Sequence, residues 1–109
     1  MWLRLLGEGG SPSNGCPALY ETGRDTYVVR GWRTDVSGTV EIPHLLLGLV
    51  PPDMFIGSAL TDTGRGTFTV SGEPVTDPAA LAQMGLPAHE AGVEVPKMER
   101  TFYGAVVAE

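Results

Sequence analysis

Residues Pro17–Gly31 read PALYETGRDTYVVRG, and residues Ser58–Gly72 read SALTDTGRGTFTVSG. Eight of these fifteen positions are identical without a gap, at a constant offset of 41 residues: Ala18/Ala59, Leu19/Leu60, Thr22/Thr63, Gly23/Gly64, Arg24/Arg65, Thr26/Thr67, Val29/Val70 and Gly31/Gly72. Tyr27/Phe68 adds an aromatic match. Similarity of this density at one offset marks a single supersecondary unit used twice. Tyr27 and Val29 in one copy, and Phe68 and Val70 in the other, fall on one face of an extended segment, because strand side chains repeat every two residues. The preceding Thr-Gly-Arg-(Asp/Gly) supplies a residue permissive enough for a tight reversal, with Gly23 and Gly64 free to take positive φ. Each copy is therefore predicted to be a β-hairpin.

A second echo lies further along, at Val40-Glu41-Ile42-Pro43 and Val93-Glu94-Val95-Pro96. Apolar residues there flank an outward carboxylate, and the proline stops the strand or begins a helical turn. The connector in the first half, Trp32–Thr39, is short. The connector in the second half contains Asp77-Pro78-Ala79-Ala80-Leu81-Ala82-Gln83-Met84-Gly85, which predicts a short helix with Asp77 at the N-cap, Pro78 at the first position and Gly85 past the end. His44–Val50 predicts a further helical turn, closed by Pro51-Pro52. The expected fold is mainly β with minor α: about six strands and one or two short helices, in a pseudo-twofold β-sandwich or small barrel built from the two hairpin repeats. Residues 1–109 are expected to form one domain, with repeats at about 17–43 and 58–96, since 109 residues leave no room for a second core.

Charge narrows the partners. Seven basic and thirteen acidic residues give a net charge of −6, and scattered cations in an acidic chain do not make the basic face that phosphate neutralisation needs. Direct nucleic-acid binding and adhesion to an anionic membrane are therefore not expected. Cys16 is the sole cysteine, so no intramolecular disulfide forms and a reducing cytoplasm is the expected compartment. The opening Met-Trp-Leu-Arg-Leu-Leu breaks at glycine too early for a signal peptide, and the apolar run Leu45–Val50 is far below the ~18 residues of a membrane span.

Several residues are candidates for chemistry. The loop Gly7–Gly15 is glycine-rich, but Cys16-Pro17 follows where a phosphate loop needs Lys-Ser/Thr, so a surface loop is expected. Cys16, His44 and His89 could form a nucleophile pair or a zinc site, yet they stand apart without triad or paired-ligand spacing, and a structural thiol and no metal are expected. Glu41 and Glu94 are the carboxylates that a pseudo-twofold axis would relate. They could share a cleft as acid and base, or simply face solvent. Arg24 and Arg65 recur beside the turns, next to Asp25 and near Asp62, where they could read an anion or make partly exposed ion pairs with those aspartates. Trp32 and Tyr27 could mark an interface or pack in the core.

Cys16–Tyr20, Thr26–Trp32, Thr76–Ala82 and Glu90–Pro96 together resemble a family of small acidic actinobacterial (Streptomyces-like) proteins with no established activity. The resemblance covers most of the chain and departs at the longer middle segment, Leu45–Ser58. It implies an accessory role beside helix-turn-helix regulators, and it carries across no catalytic, cofactor or metal-binding residue. Three functions follow as expectations. The first is a cytoplasmic protein-interaction module, accessory to a helix-turn-helix transcriptional regulator, whose acidic face complements a basic one. The second is a small-molecule binder or enzyme with a cleft between the repeats lined by Trp32, Glu41 and Glu94. The third is an assembly protein joined through strand edges, and a homo-oligomer is expected in any case.

Overall fold

The structure, a computed structural model, describes residues 1–9 and 17–99. Period-two alternation becomes strand wherever it was strong, and the protein is mainly β. In chain order the strands are β1 (Leu3–Glu8), β2 (Ala18–Thr22), β3 (Thr26–Arg33), β4 (Thr39–Pro43), β5 (Met54–Ile56), β6 (Leu60–Asp62), β7 (Thr67–Ser71), β8 (Glu73–Pro74) and β9 (Glu90–Glu99). A 3₁₀ turn spans His44–Leu49, and the helix α1 spans Pro78–Met84. The caps are those the residues predict: Asp77 accepts from the Ala80 amide at 2.9 Å, Pro78 opens the helix, and Gly85 ends it at φ 59°. Among the described residues, no helix is long and apolar enough to cross a membrane.

Nine strands exceed the expected six because β5 and β8, of three and two residues, are too short to show alternation, and β1 adds an edge. All the pairings are antiparallel. The hairpins are β2–β3 and β6–β7. Each hairpin pairs with the Val-Glu-x-Pro strand of the other half. β3 runs beside β9, with Thr26 opposite Pro96 and Val29 opposite Val93; β7 runs beside β4, with Thr67 opposite Pro43 and Val70 opposite Val40. Within each half the contact is only two residues long: Trp32 opposite Glu41 and Arg33 opposite Val40, matched by Glu73 opposite Glu94 and Pro74 opposite Val93. These brief contacts join the two sides, and the sheet is not closed into a barrel.

The inner faces of the two halves meet in one core. Tyr27, Val29, Val40 and Ile42 pack there with Val70, Val93 and Val95, and Phe68 packs against them. Leu19 lies in that core and Leu60 packs on it. The outer faces differ. Tyr20 and Val28 on the first hairpin are buried with Leu3, Ala80 and Met84, under β1 and α1, whereas the corresponding Thr61 and Thr69 on the second hairpin are exposed or half-buried. Polar substitution on that face left nothing to cover.

Glycine matters most at the crossings. A Cβ on Gly31 would lie 2.6 Å from the Glu41 carbonyl oxygen, and one on Gly72 would lie 2.4 Å from the Glu94 carbonyl oxygen. Gly64 takes the positive φ that the sequence reading gave it, at 80°, but the first turn works differently. The left-handed residue of the first hairpin is Asp25, at φ 63°, where Gly66 stands at φ 85° in the second, and Gly23 is not left-handed. Aspartate is among the few side chains that tolerate this region.

Gly31→Ala and Gly72→Ala are each expected to destabilise by about 1–3 kcal/mol or more in chemical denaturation, because backbone must move. Gly23→Ala, whose added Cβ meets nothing within 4 Å, is expected to stay within about 0.5 kcal/mol of the parent. Asp25→Val is expected to lose about 1–2 kcal/mol to the left-handed backbone.

Candidate functional site

Strand register delivers Glu41 and Glu94 to the opposite hairpin. Glu94 on β9 lies across from Val28, which brings its carboxylate to the first turn. Arg24 donates to it from Nε at 2.9 Å and Nη2 at 2.7 Å, and the Thr26 hydroxyl donates at 2.5 Å. Thr22 completes the cluster: its hydroxyl sits 2.6 Å from that of Thr26 and accepts from the Arg24 amide at 3.2 Å. The second half repeats the cluster part for part. Arg65 Nη2 donates to both Glu41 oxygens at 3.2 and 3.1 Å, Thr67 donates at 2.5 Å, and Thr63 sits 2.6 Å from Thr67.

Arg24 and Arg65 therefore bind glutamates of the opposite half, where the sequence reading had placed Asp25 and Asp62. Local spacing favoured the aspartates, but the exchanged strands put the glutamates nearer. The acid-base possibility for Glu41 and Glu94 loses support for the same reason. The Arg24 hydrogen bonds hold Glu94 below the ordinary 4.5, and the Thr67 hydroxyl, with Arg65, does the same for Glu41. Both stay ionised near neutrality, each in its own clamp. Among the residues described, neither the two glutamates, the two arginines nor Trp32 lines the apolar groove beside β5 or the cavity between β8 and α1. Trp32 is half-buried on β3, between Glu41 of β4 and Glu90 of β9.

Cys16 lies outside the described residues, as does most of the Gly7–Gly15 loop. His44 stacks on Phe68 with ring centroids 4.2 Å apart, and its Nε2 lies 3.2 Å from the Thr67 carbonyl oxygen. His89 is exposed, its Nε2 3.7 Å from Glu90 Oε2. Among the described residues, no group of three His, Cys, Asp or Glu could hold a metal ion.

Sequence reasoning passed over Arg30 and Glu90. Glu90 is fully buried and Arg30 nearly so. Arg30 Nε donates to Glu90 Oε1 at 2.6 Å, and Nη1 donates to the Met84 carbonyl at the end of α1 at 3.0 Å. Glu90 Oε2 has no hydrogen-bond partner among the described residues. The available signal was the departure of Arg30 from Ser71 at the equivalent hairpin position.

The middle segment, where no repeat exists, builds an apolar groove of about 480 Å³. Leu47, Val50, Met54, Phe55 and Ile56 line it with Leu60 and Met98. Phe55 is 44% exposed and Met98 51% exposed. Asp53, in the turn before β5, and Glu99, at the end of β9, are both exposed and adjoin it in sequence.

Five of the six described Lys and Arg side chains are engaged by carboxylates: Arg4 and Lys97 by Glu21, Arg24 by Glu94, Arg30 by Glu90, and Arg65 by Glu41. Compared with known protein families, with curated proteins and with solved structures, the chain matches none.

A glutamate whose folded pKa is depressed contributes stability above its unfolded value, and that contribution is lost as pH falls through the folded value. The protein is therefore expected to lose stability below about pH 4.5, with Glu21, lowered by Lys97 and then Arg4, sharing the effect. Glu41→Gln with Glu94→Gln is expected to flatten this acid limb in denaturation measured from pH 7 downward. Glu90→Ala, which leaves Arg30 buried without its carboxylate, is expected to destabilise by about 3–5 kcal/mol at pH 7.

Proposed function

We propose that this protein is an interaction module, and that it receives an apolar segment of a partner protein in the groove between the 3₁₀ turn, β5 and the end of β9. The observation that carries this reading is the groove itself, with Phe55 and Met98 keeping about half their surface in water on its wall. Exposed apolar surface gathered in one concave place is a mark of recognition. Methionine and phenylalanine suit a surface that adapts to what it binds. The acidic balance and the exposed Glu99 favour basic residues flanking the partner's apolar segment.

A helix-turn-helix regulator in the cytoplasm is the finer form of the proposal, since such a protein carries a basic DNA-facing surface that an acidic accessory complements. The assembly reading has less support. β6 is three residues long, and β1 is interrupted by a bulge between Leu5 and Gly7, features that blunt edge-to-edge pairing.

Affinity purification of the tagged protein from its own host is expected to yield one protein at near-equal amount. That complex is expected to weaken at high salt and to fail with Phe55→Glu combined with Met98→Glu, both exposed enough to leave the fold intact by circular dichroism. Undiminished binding by the variant would remove the groove from the interface. Elution of the wild-type protein alone would remove the interaction reading.

A further inference from the structure

A second cavity, of about 400 Å³, opens where the turn between β3 and β4, β8 and α1 come together. Val40, Val75, Leu86 and Val93 supply apolar lining. Val36 and Leu81 line it from two separate elements while remaining 57% and 37% exposed. Its charged lining residue is Arg33, on the last position of β3 and exposed. Among the described residues, Arg33 is the only lysine or arginine with no carboxylate partner, since all the others are engaged in the pairs given above. Among the described residues, one guanidinium is thus left without a carboxylate beside a concave, partly apolar site.

We propose that this cavity binds a small amphipathic monocarboxylate. The Arg33 guanidinium receives the carboxylate in the two-point geometry that its planar fork favours. The apolar lining takes the hydrocarbon body, and the cavity volume lies in the range of small-molecule sites. One guanidinium in a chain of net charge −6 matches a single negative charge better than a dianion such as a phosphate monoester, which the surrounding field repels more strongly. A neutral apolar ligand would leave the guanidinium unused. Asp35 and Glu73 are exposed and close in sequence to lining residues, so they weaken an anion's binding and set its salt dependence. The site uses no residue of the groove around Phe55, so it stands or falls independently of the interaction reading.

Octanoate is the probe, compared with 1-octanol, which has the tail without the charge, and acetate, which has the charge without the tail. Titration calorimetry with amide chemical shifts on the full chain is expected to show saturable octanoate binding. The shifts are expected at Ser37, Gly38 and Gly92, with octanol and acetate each at least about tenfold weaker. Arg33→Gln is expected to weaken octanoate by about tenfold with no change in melting temperature or in octanol binding. Asp35→Asn is expected to tighten octanoate severalfold at low salt. The proposal is overturned if octanoate does not bind at millimolar concentration, if octanol binds equally well, if Arg33→Gln leaves octanoate affinity unchanged, or if the shifts fall in the Leu47–Leu60 groove.

Discussion

Two backbone crossings govern the architecture. At Gly31 and Gly72, the strand leaving each hairpin passes so close to the Val-Glu-x-Pro strand of its own half that a side chain would strike the carbonyl of Glu41 or Glu94. Close approach at one point replaces a long ladder within the half. Each hairpin then finds its ladder partner in the other half, β3 along β9 and β7 along β4. Neither half holds a complete core, because the inner residues of each, from Tyr27 to Ile42 and from Phe68 to Val95, are covered by the other. Stability therefore depends on contacts far apart in sequence, whose closing entropy is recovered only when both halves are in place.

The clamps follow from that exchange. Once β9 lies beside β3, Glu94 reaches Arg24 and Thr26; once β7 lies beside β4, Glu41 reaches Arg65 and Thr67. Their chemistry is duplicated but their strength differs. Glu94 takes two nitrogens of Arg24 and is 12% exposed, whereas Glu41 takes one nitrogen of Arg65 and is 23% exposed. Charge-assisted bonds that are less exposed to solvent are the stronger ones. Both carboxylates remain ionised and fully occupied, which suits fastening rather than proton transfer.

The concave surfaces arise where the two halves diverge. The segment between them, which has no counterpart, supplies most of the apolar groove. The helix α1, which the first half replaces with a 3₁₀ turn at a different point in the order, supplies one wall of the second cavity and buries the outer face of the first hairpin. Duplicated parts hold the molecule together, and the unduplicated parts create its concave surfaces.

The sequence by itself determined the two hairpins, the helix with its Asp77 and Gly85 caps, the turn after Pro43 and the mainly β character. These depend on side-chain period and terminal hydrogen bonding, which are local properties. It also marked Glu41, Glu94, Arg24 and Arg65 as recurring residues. Only the tertiary structure decided that each arginine joins the glutamate of the other half, because that follows from strand exchange across separations of 24 and 70 residues. The buried Arg30–Glu90 pair and the placing of Arg33 at a cavity were likewise set by packing. A charged residue reads alike in sequence whether solvent, a partner or an apolar wall surrounds it, and only the folded chain supplies that surrounding.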